Sequence, residues 1–397
     1  MFQQLKRLNS DSILGLMAKY RADPSSQKVD LGVGVYRDLS GNTPILDCVR
    51  RAEKEVLAAQ TTKSYVAAAG REEFNALVEE LVLGPEHPAR REKRVRTVQT
   101  PGGCGALRVG AELIRAAYPQ ATVHLSDPTW GNHAPLLGSS GLQLARYPYY
   151  DGAAHGVRFE AMLQHLERAA AGDVVLIHVC CHNPTGADLT PAQWDTLAEL
   201  LQRRDLLPFL DLAYQGFGSS LDDDAAAVRM IAQRLPEALA AISYSKNLGL
   251  YRERVGALIS ISADAGRADA VQSHVLQIAR SIYSMPPDHG AAIVTEILGS
   301  DALRAGWVSE LAVMRDRING LRRQLVAQLS AALPARDFGF IARQQGMFSL
   351  LGLSVDEVKR IRAECHVYMT DDSRINIAGL RADNIEYFAQ SVAHVLR

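Results

Sequence analysis

The chain has 397 residues, and its 43 lysines and arginines nearly balance 44 acidic residues for a formal net charge of -1. That balance argues against a nucleic acid or an anionic membrane as the main partner, and no apolar run approaches the roughly 20 residues that span a bilayer. The length favours two domains, or one large and one small, and the 47% of hydrophobic residues is ordinary for a globular protein.

The opening "MFQQLKRLNSDSILGLM" is too broken by polar residues to serve as the apolar region of a signal peptide. "REEFNALVEELVLG" reads as an amphipathic helix ending at Gly84. "TPGGCGALRVGAEL" is a glycine-rich turn that opens a helix. "TVHLSDPTW" is a short apolar run closed by turn residues, hence a strand, and "DVVLIHVCCHNPTG" is a buried strand running into a Pro/Gly turn. "TPAQWDTLAELLQRRD" carries Thr190 as N-cap, Pro191 at the first helical position and Gln193 to complete a capping box. "LLPFLDLAYQGF", "ALAAISYSKN" and "GALISISADA" are further short apolar runs. Such runs alternating with amphipathic helices point to an α/β fold with a mainly parallel sheet covered on both faces.

Past residue 300 the pattern changes. Trp307, Leu311, Met314, Ile318, Leu321, Leu325 and Leu329 step by three or four, so one long helix buries a stripe. A short strand at "GMFSLLGLS", a helix opened by the capping box Ser354–Glu357, a strand at "SRINIAG" and a last helix with Ile385, Phe388 and Val392 follow. This predicts a smaller α+β unit hung on a long helix. "DGAAHG" and "LDDDAAA" read as surface turns. Five cysteines, an odd number at irregular spacing, predict no disulfide framework and a reducing, cytoplasmic setting.

In open parallel sheets ligands bind beyond the carboxyl ends of the strands. Four apolar runs stop at polar clusters: Asp127 to Trp130, His182 to Gly186, Asp211 to Tyr214, and Ser243 to Lys246. Parallel strands would bring them to one edge, gathering a carboxylate, an amide, a phenol, an indole and an amine. The glycine turn at Gly102 and Gly103 lets backbone N–H groups approach an anion, and with Ser243 and Arg254 it forms a candidate phosphate cradle.

Each residue also has a plainer reading. A strand-end lysine is usually a solvated charge. Asp211 could cap a helix, Trp130 could be core, and Arg254 could pair with Glu253 or another surface acid. His178, Cys180, Cys181 and His182 could bind zinc, but residues alternating along a strand would put the two cysteines on opposite faces, so packing is the expectation and no metal site is predicted. The set as a whole points elsewhere. A buried aspartate needs a cationic partner, and a buried lysine tends to lose its proton and become a nucleophile. A pyridine aldehyde phosphate meets both needs: its aldehyde takes the lysine, its ring nitrogen faces the aspartate, and its phosphate sits on the glycine turn.

The segments "DLGVGVYRD", "TPGGCGALR", "CCHNPTGADLT", "DLAYQGF", "SYSKNLGLYRERVG", "YSMPPDHGA" and "SRINIAGL" occur in an order that closely resembles the class I aminotransferases, in the aspartate/aromatic amino acid branch, over essentially the whole chain. The resemblance implies the fold-type I pyridoxal phosphate architecture. It implies an N-terminal arm (1–14), a small domain (15–45 and 301–397) and a large cofactor-binding domain (46–300) with a seven-stranded sheet. By position, Lys246 would join the cofactor and move the proton between the substrate's α-carbon and the cofactor's C4′. Asp211 would keep the ring nitrogen protonated, with His133 behind it. Tyr214 and Asn183 would bond the ring oxygen, and Trp130 would stack on the ring. Gly103, Cys104, Ser243 and Arg254 would hold the phosphate, joined by Tyr65 from a second subunit. Arg374, helped by the Gly34 backbone, would clamp the substrate's α-carboxylate. Arg280 from the second subunit would meet a side-chain carboxylate. A homodimer with shared sites is therefore implied.

The chain departs from the family pattern in places. Cys104 stands where Thr or Ser is usual, Ser373 where Gly is usual, and Met285 and Ser64 where aspartate-preferring members carry asparagines. Val35, Arg37 and Thr43 match the aspartate type. The expected reaction is ping-pong transfer of the amino group from aromatic L-amino acids and aspartate to 2-oxoglutarate. An aspartate-preferring enzyme is the alternative. A lyase or decarboxylase is disfavoured by Arg374, which protects the carboxylate. A ligand-sensing regulator would need a DNA-binding segment, for which a match starting near residue 1 leaves no room.

Overall fold

The computed structural model describes residues 2–7 and 12–397, so part of the expected arm, residues 1 and 8–11, lies outside the described residues. Thirteen strands are present among the described residues: β1 (Val29–Asp30), β2 (Val95–Pro101), β3 (Thr122–Asp127), β4 (Gln143–Pro148), β5 (Tyr150–Asp151), β6 (Gly156–Val157), β7 (Val174–His178), β8 (Leu207–Leu212), β9 (Ala238–Ser243), β10 (Val255–Ile261), β11 (Phe348–Leu350), β12 (Val367–Tyr368) and β13 (Arg374–Asn376). The main sheet has seven strands in the order β2-β10-β9-β8-β7-β3-β4. Only β10 opposes its neighbours; β3, β4, β7, β8 and β9 pair in parallel. The mainly parallel, doubly covered sheet expected from the alternating runs is what forms. β7, β8, β9 and β10 are buried almost end to end, as strands covered on both faces must be.

The strand order reverses between β3 and β7, because the chain runs outward from β3 to β4 and returns to the other side of β3. That reversal opens a crevice at the carboxyl ends. Register places His178 beside Asp211, Asp211 beside Ala241, and Ser243 beside Gly256. The polar clusters expected at one edge therefore stand at one edge.

The long helix spans Asp301–Ala332, and all seven of the periodic apolar residues from Trp307 to Leu329 are buried. Ser300 caps it, accepting from the Leu303 N–H at 3.4 Å. The capping boxes at Thr190/Gln193 and Ser354/Glu357 are both formed. The helix Glu72–Leu83 stops at Gly84, whose φ of 89° suits glycine. Two small pairs stand outside the main sheet, parallel β1–β12 and antiparallel β11–β13, and the long helix is tied to the second by Arg322, which donates to Phe348 O and Ser349 Oγ at 2.7 Å.

"LDDDAAA" is not simply a surface turn. Asp224 within it is buried, and its carboxylate accepts the N–H groups of Gly216, Gly218 and Ser219 at 2.7–2.9 Å. It ties down the loop that follows Tyr214. "DGAAHG" does form an exposed turn, between β5 and β6.

Candidate active site

Asp211 sits near the carboxyl end of β8, and its Oδ2 accepts from His133 Nε2 at 3.0 Å. A carboxylate can only accept, so Nε2 carries a proton, and Nδ1 lies 2.8 Å from Thr129 Oγ1. Burial pushes the Asp211 pKa up, but the hydrogen bond from His133 and the nearby Lys246 ammonium outweigh it. The net shift is downward, and a deeply enclosed carboxylate stays ionised. It does not cap a helix. His178 lies beside it, 5% exposed, with neither ring nitrogen hydrogen-bonded. Burial drives its pKa down to about 3, so the ring is neutral.

Lys246 follows β9. Its ammonium makes no hydrogen bond or ion pair with any described residue, and lies 4.7 Å from the centre of the Tyr214 ring. Burial holds its pKa below the usual lysine value, and the opposing pull of the Asp211 charge does not cancel that. It is not a solvated surface charge.

The helix Gly102–Ala117 begins without a side-chain cap, which leaves first-turn N–H groups free for a ligand. Gly102 has φ 70°, and a Cβ there would fall 2.6 Å from Arg254 Nη2. A Cβ on Gly103 would lie 3.2 Å from the Ser243 Cβ. Glycine thus lets the helix start press against Ser243 and Arg254. Arg254 donates to Tyr251 O (3.0 Å) and Ser245 Oγ (3.4 Å); among the described residues it pairs with no carboxylate, Glu253 included. One cavity of about 210 Å³ is lined by Gly103, Cys104, Trp130, Asn183, Asp211, Tyr214, Ser243, Lys246 and Arg254. Trp130 is therefore at the site and not sealed in core.

Arg374 opens β13. Its Nη2 donates to Gly32 O at 2.8 Å and its Nη1 to Asn183 Oδ1 at 3.3 Å, while Nε has no partner. The guanidinium stacks over Phe348, 4.5 Å from the ring centre. The same ring occupies the space a Cβ on Gly34 would need, 2.8 Å away. Asn376 Nδ2 donates to both Val33 O and Val35 O at 2.7 Å, which fixes the Gly34 segment beside Arg374. Asn183 thus links the sheet edge to the small sheets. Ser373 adopts φ 64°, the region that favours glycine, and its Oγ accepts from the Gly352 N–H at 3.1 Å.

Tyr65 and Arg280 do not join this constellation. Tyr65 is 90% exposed and Arg280 is exposed, and neither lines the cavity. His178, Ser245 and Tyr251 line it without having been assigned a site role from sequence. Ser245 and Tyr251 flank Lys246 in the chain. His178 is betrayed only by its register with Asp211.

The argument that separated Cys180 from Cys181 by strand alternation does not hold. β7 ends at His178, and Cys181 has φ 53°. Both thiols are buried, as packing required. The one tight group of metal-type donors among the described residues is His133, His178 and Asp211, and both His133 nitrogens are already engaged with Asp211 and Thr129.

Residues 26–392 match the family "Aminotransferase class I and II". The chain belongs to that family. It is a transaminase, and its fold agrees with the fold-type I architecture. It is 46% identical over 395 residues, covering 100% of both chains, to the aromatic-amino-acid aminotransferase of Paracoccus denitrificans. It is 44% identical over 396 residues, again covering 100% of both, to the aspartate aminotransferase of Escherichia coli strain K12. Among solved structures, the Burkholderia pseudomallei aromatic-amino-acid aminotransferase covalently bound to pyridoxal phosphate superposes with a TM-score of 0.98 at 44% identity, covering 100% of both chains.

Proposed function

We propose that this transaminase uses pyridoxal 5′-phosphate to carry the amino group of aromatic L-amino acids and of aspartate to 2-oxoglutarate, in two ping-pong half-reactions. The observation that carries the reading is one cavity holding an unpartnered, depressed-pKa lysine, an ionised buried carboxylate and an uncapped helix start beside an unpaired arginine. The residues fit the group: Gly102 leaves room that any Cβ would fill, and both ring nitrogens of His178 and Nε of Arg374 still lack partners. Relatives of both the aromatic and the aspartate type match at similar identity.

When bound, the cofactor supplies an aldehyde that takes up the amino group and a ring that draws electrons from the substrate's α-carbon. Lys246 Nζ would join the cofactor's aldehyde and would carry the proton to and from the substrate's α-carbon. Its lowered pKa keeps a share of it neutral and able to accept. Asp211, held by His133, keeps a proton on the ring nitrogen. Tyr214 and Asn183 would hold the ring oxygen, and Trp130 would cover the ring; all three line the cavity. Gly103, Cys104, Ser243 and Arg254 take the phosphate. Arg374 takes the α-carboxylate through a planar fork, with the Gly34 backbone beside it.

The proposal includes a homodimer in which Tyr65 and Arg280 serve the site of a second copy. Their exposure away from their own cavity supports this. The division into an arm (1–14), a small domain (15–45, 301–397) and a large domain (46–300) is supported by the pairs β1–β12 and β11–β13, which take no part in the seven-stranded sheet. Five free cysteines support a cytoplasmic setting.

The test is absorbance of the purified protein in the visible region with steady-state kinetics on phenylalanine, tyrosine and aspartate. Lys246→Ala is expected to remove the covalent chromophore and nearly all turnover. Unchanged absorbance in that variant sinks the cofactor assignment. Phenylalanine turnover orders of magnitude below aspartate turnover sinks the dual specificity.

A further inference from the structure

Four of the five thiols are sealed in packing: Cys48, Cys180, Cys181 and Cys365 are at most 8% exposed. Cys104 is the one that is partly open, and it lines the cavity with Lys246 and Arg254. It is the third residue of the helix Gly102–Ala117. The uncapped helix start concentrates unsatisfied N–H groups and partial positive charge around it. Arg254 lacks a carboxylate partner among the described residues. His178, on the same cavity wall, is nine-tenths buried with both nitrogens unpartnered. These groups together call for an anionic occupant. A phosphate seated on the helix start would cover the thiol, which otherwise faces the cavity that Lys246 and Arg254 also line.

We infer that Cys104 is a covalent modification site for small anionic disulfides, open in the cofactor-free chain and closed by the cofactor's phosphate. The inference rests on the cofactor reading above. In the exchange, Cys104 gives its proton to solvent and its sulfur attacks one sulfur of the disulfide. A new sulfur–sulfur bond forms as the old one breaks, and the other half leaves as a thiolate with the electron pair. No oxidant beyond the disulfide is consumed. The adduct occupies the phosphate cradle, so modification and cofactor binding exclude one another.

The experiment uses 5,5′-dithiobis(2-nitrobenzoic acid), an anionic disulfide, on the full chain with and without pyridoxal phosphate. Released thiolate is followed by absorbance, and the modified peptide is located by mass spectrometry. Without cofactor, a single fast thiol is expected, mapping to Cys104 and missing from Cys104→Ser. Bound pyridoxal phosphate should slow it by about tenfold or more, because only the unliganded fraction reacts. Saturating inorganic phosphate should slow it too. A fast adduct on another cysteine, or equal rates with and without cofactor, overturns the inference. A chain that never develops visible absorbance with pyridoxal phosphate defeats the cofactor reading itself. One that absorbs normally but leaves its thiol unprotected defeats only the Cys104 assignment.

Discussion

Replacing Arg374 with lysine isolates the proposed carboxylate clamp. The guanidinium is 6% exposed and held by Gly32 O at 2.8 Å, Asn183 Oδ1 at 3.3 Å and the face of Phe348. Lysine keeps the charge but not the planar fork. It can give a substrate carboxylate one strong hydrogen bond where arginine gives two. The lost charge-assisted bond is worth about 1.5–3 kcal/mol, which corresponds to about 10–150-fold in kcat/KM. The α-carboxylate is common to every donor, so phenylalanine and aspartate must lose activity by the same factor. Steady-state kinetics on both, with urea denaturation as a control for folding, make the comparison. A loss confined to one donor, or one below about threefold with intact folding, refutes the assignment of Arg374 to the shared carboxylate.

Two further predictions concern groups that hold the site in place. Arg322 is fully buried and donates to the carbonyls of Ile341, Gln345, Gly346 and Phe348 and to Ser349 Oγ, at 2.7–3.2 Å. Arg322→Met takes the arginine donors from the four carbonyls, while Ser349 Oγ keeps its bond to Gln344 Oε1 at 2.6 Å; at about 1–3 kcal/mol for each group left unsatisfied, a total above about 4 kcal/mol and a sharply lowered urea midpoint are expected, and an unchanged midpoint would contradict the network. Asp188 accepts the N–H groups of Cys181 and His182 at 2.7 and 2.8 Å, and burial raises its pKa to about 7 from 3.8. The folded chain therefore holds this proton more tightly than the unfolded chain, so stability from this group is full below pH 3.8 and declines as pH rises to about 7. Asp188→Asn should flatten the fall of the urea midpoint across that window, and an identical pH profile would count against a raised Asp188.

The sheet and the long helix were legible because their signals are local. A stripe at every third or fourth position, and capping boxes at Thr190 and Ser354, need no distant partner to be read. Lys246, Asp211 and Asn183 could be gathered in advance because parallel strands send their ends to one edge. What escaped was set by contacts between segments far apart in sequence. Asp224 sits in a run that looks like a charged turn, and only three N–H groups from the loop after Tyr214 make it internal. His178 looks like a strand residue until register sets it against Asp211. The cysteine argument failed because it assumed strand geometry two residues past the strand's end.

The charges of the cavity account for why these residues tolerate burial. Lys246 and Arg254 face it, with Arg374 adjoining through Asn183. Asp211 is the one carboxylate on its wall. Taken alone, that balance leaves positive charge in a poorly solvated space, a costly arrangement. A ligand carrying a phosphate offsets Arg254 and the helix start. A protonated ring nitrogen offsets Asp211, and a substrate carboxylate offsets Arg374. Each uncompensated charge thus corresponds to one charged part of the proposed cofactor and substrate, except that of Lys246, and burial holds the Lys246 pKa below the usual lysine value. The group left without an ionic partner is the group that must give up its proton to work.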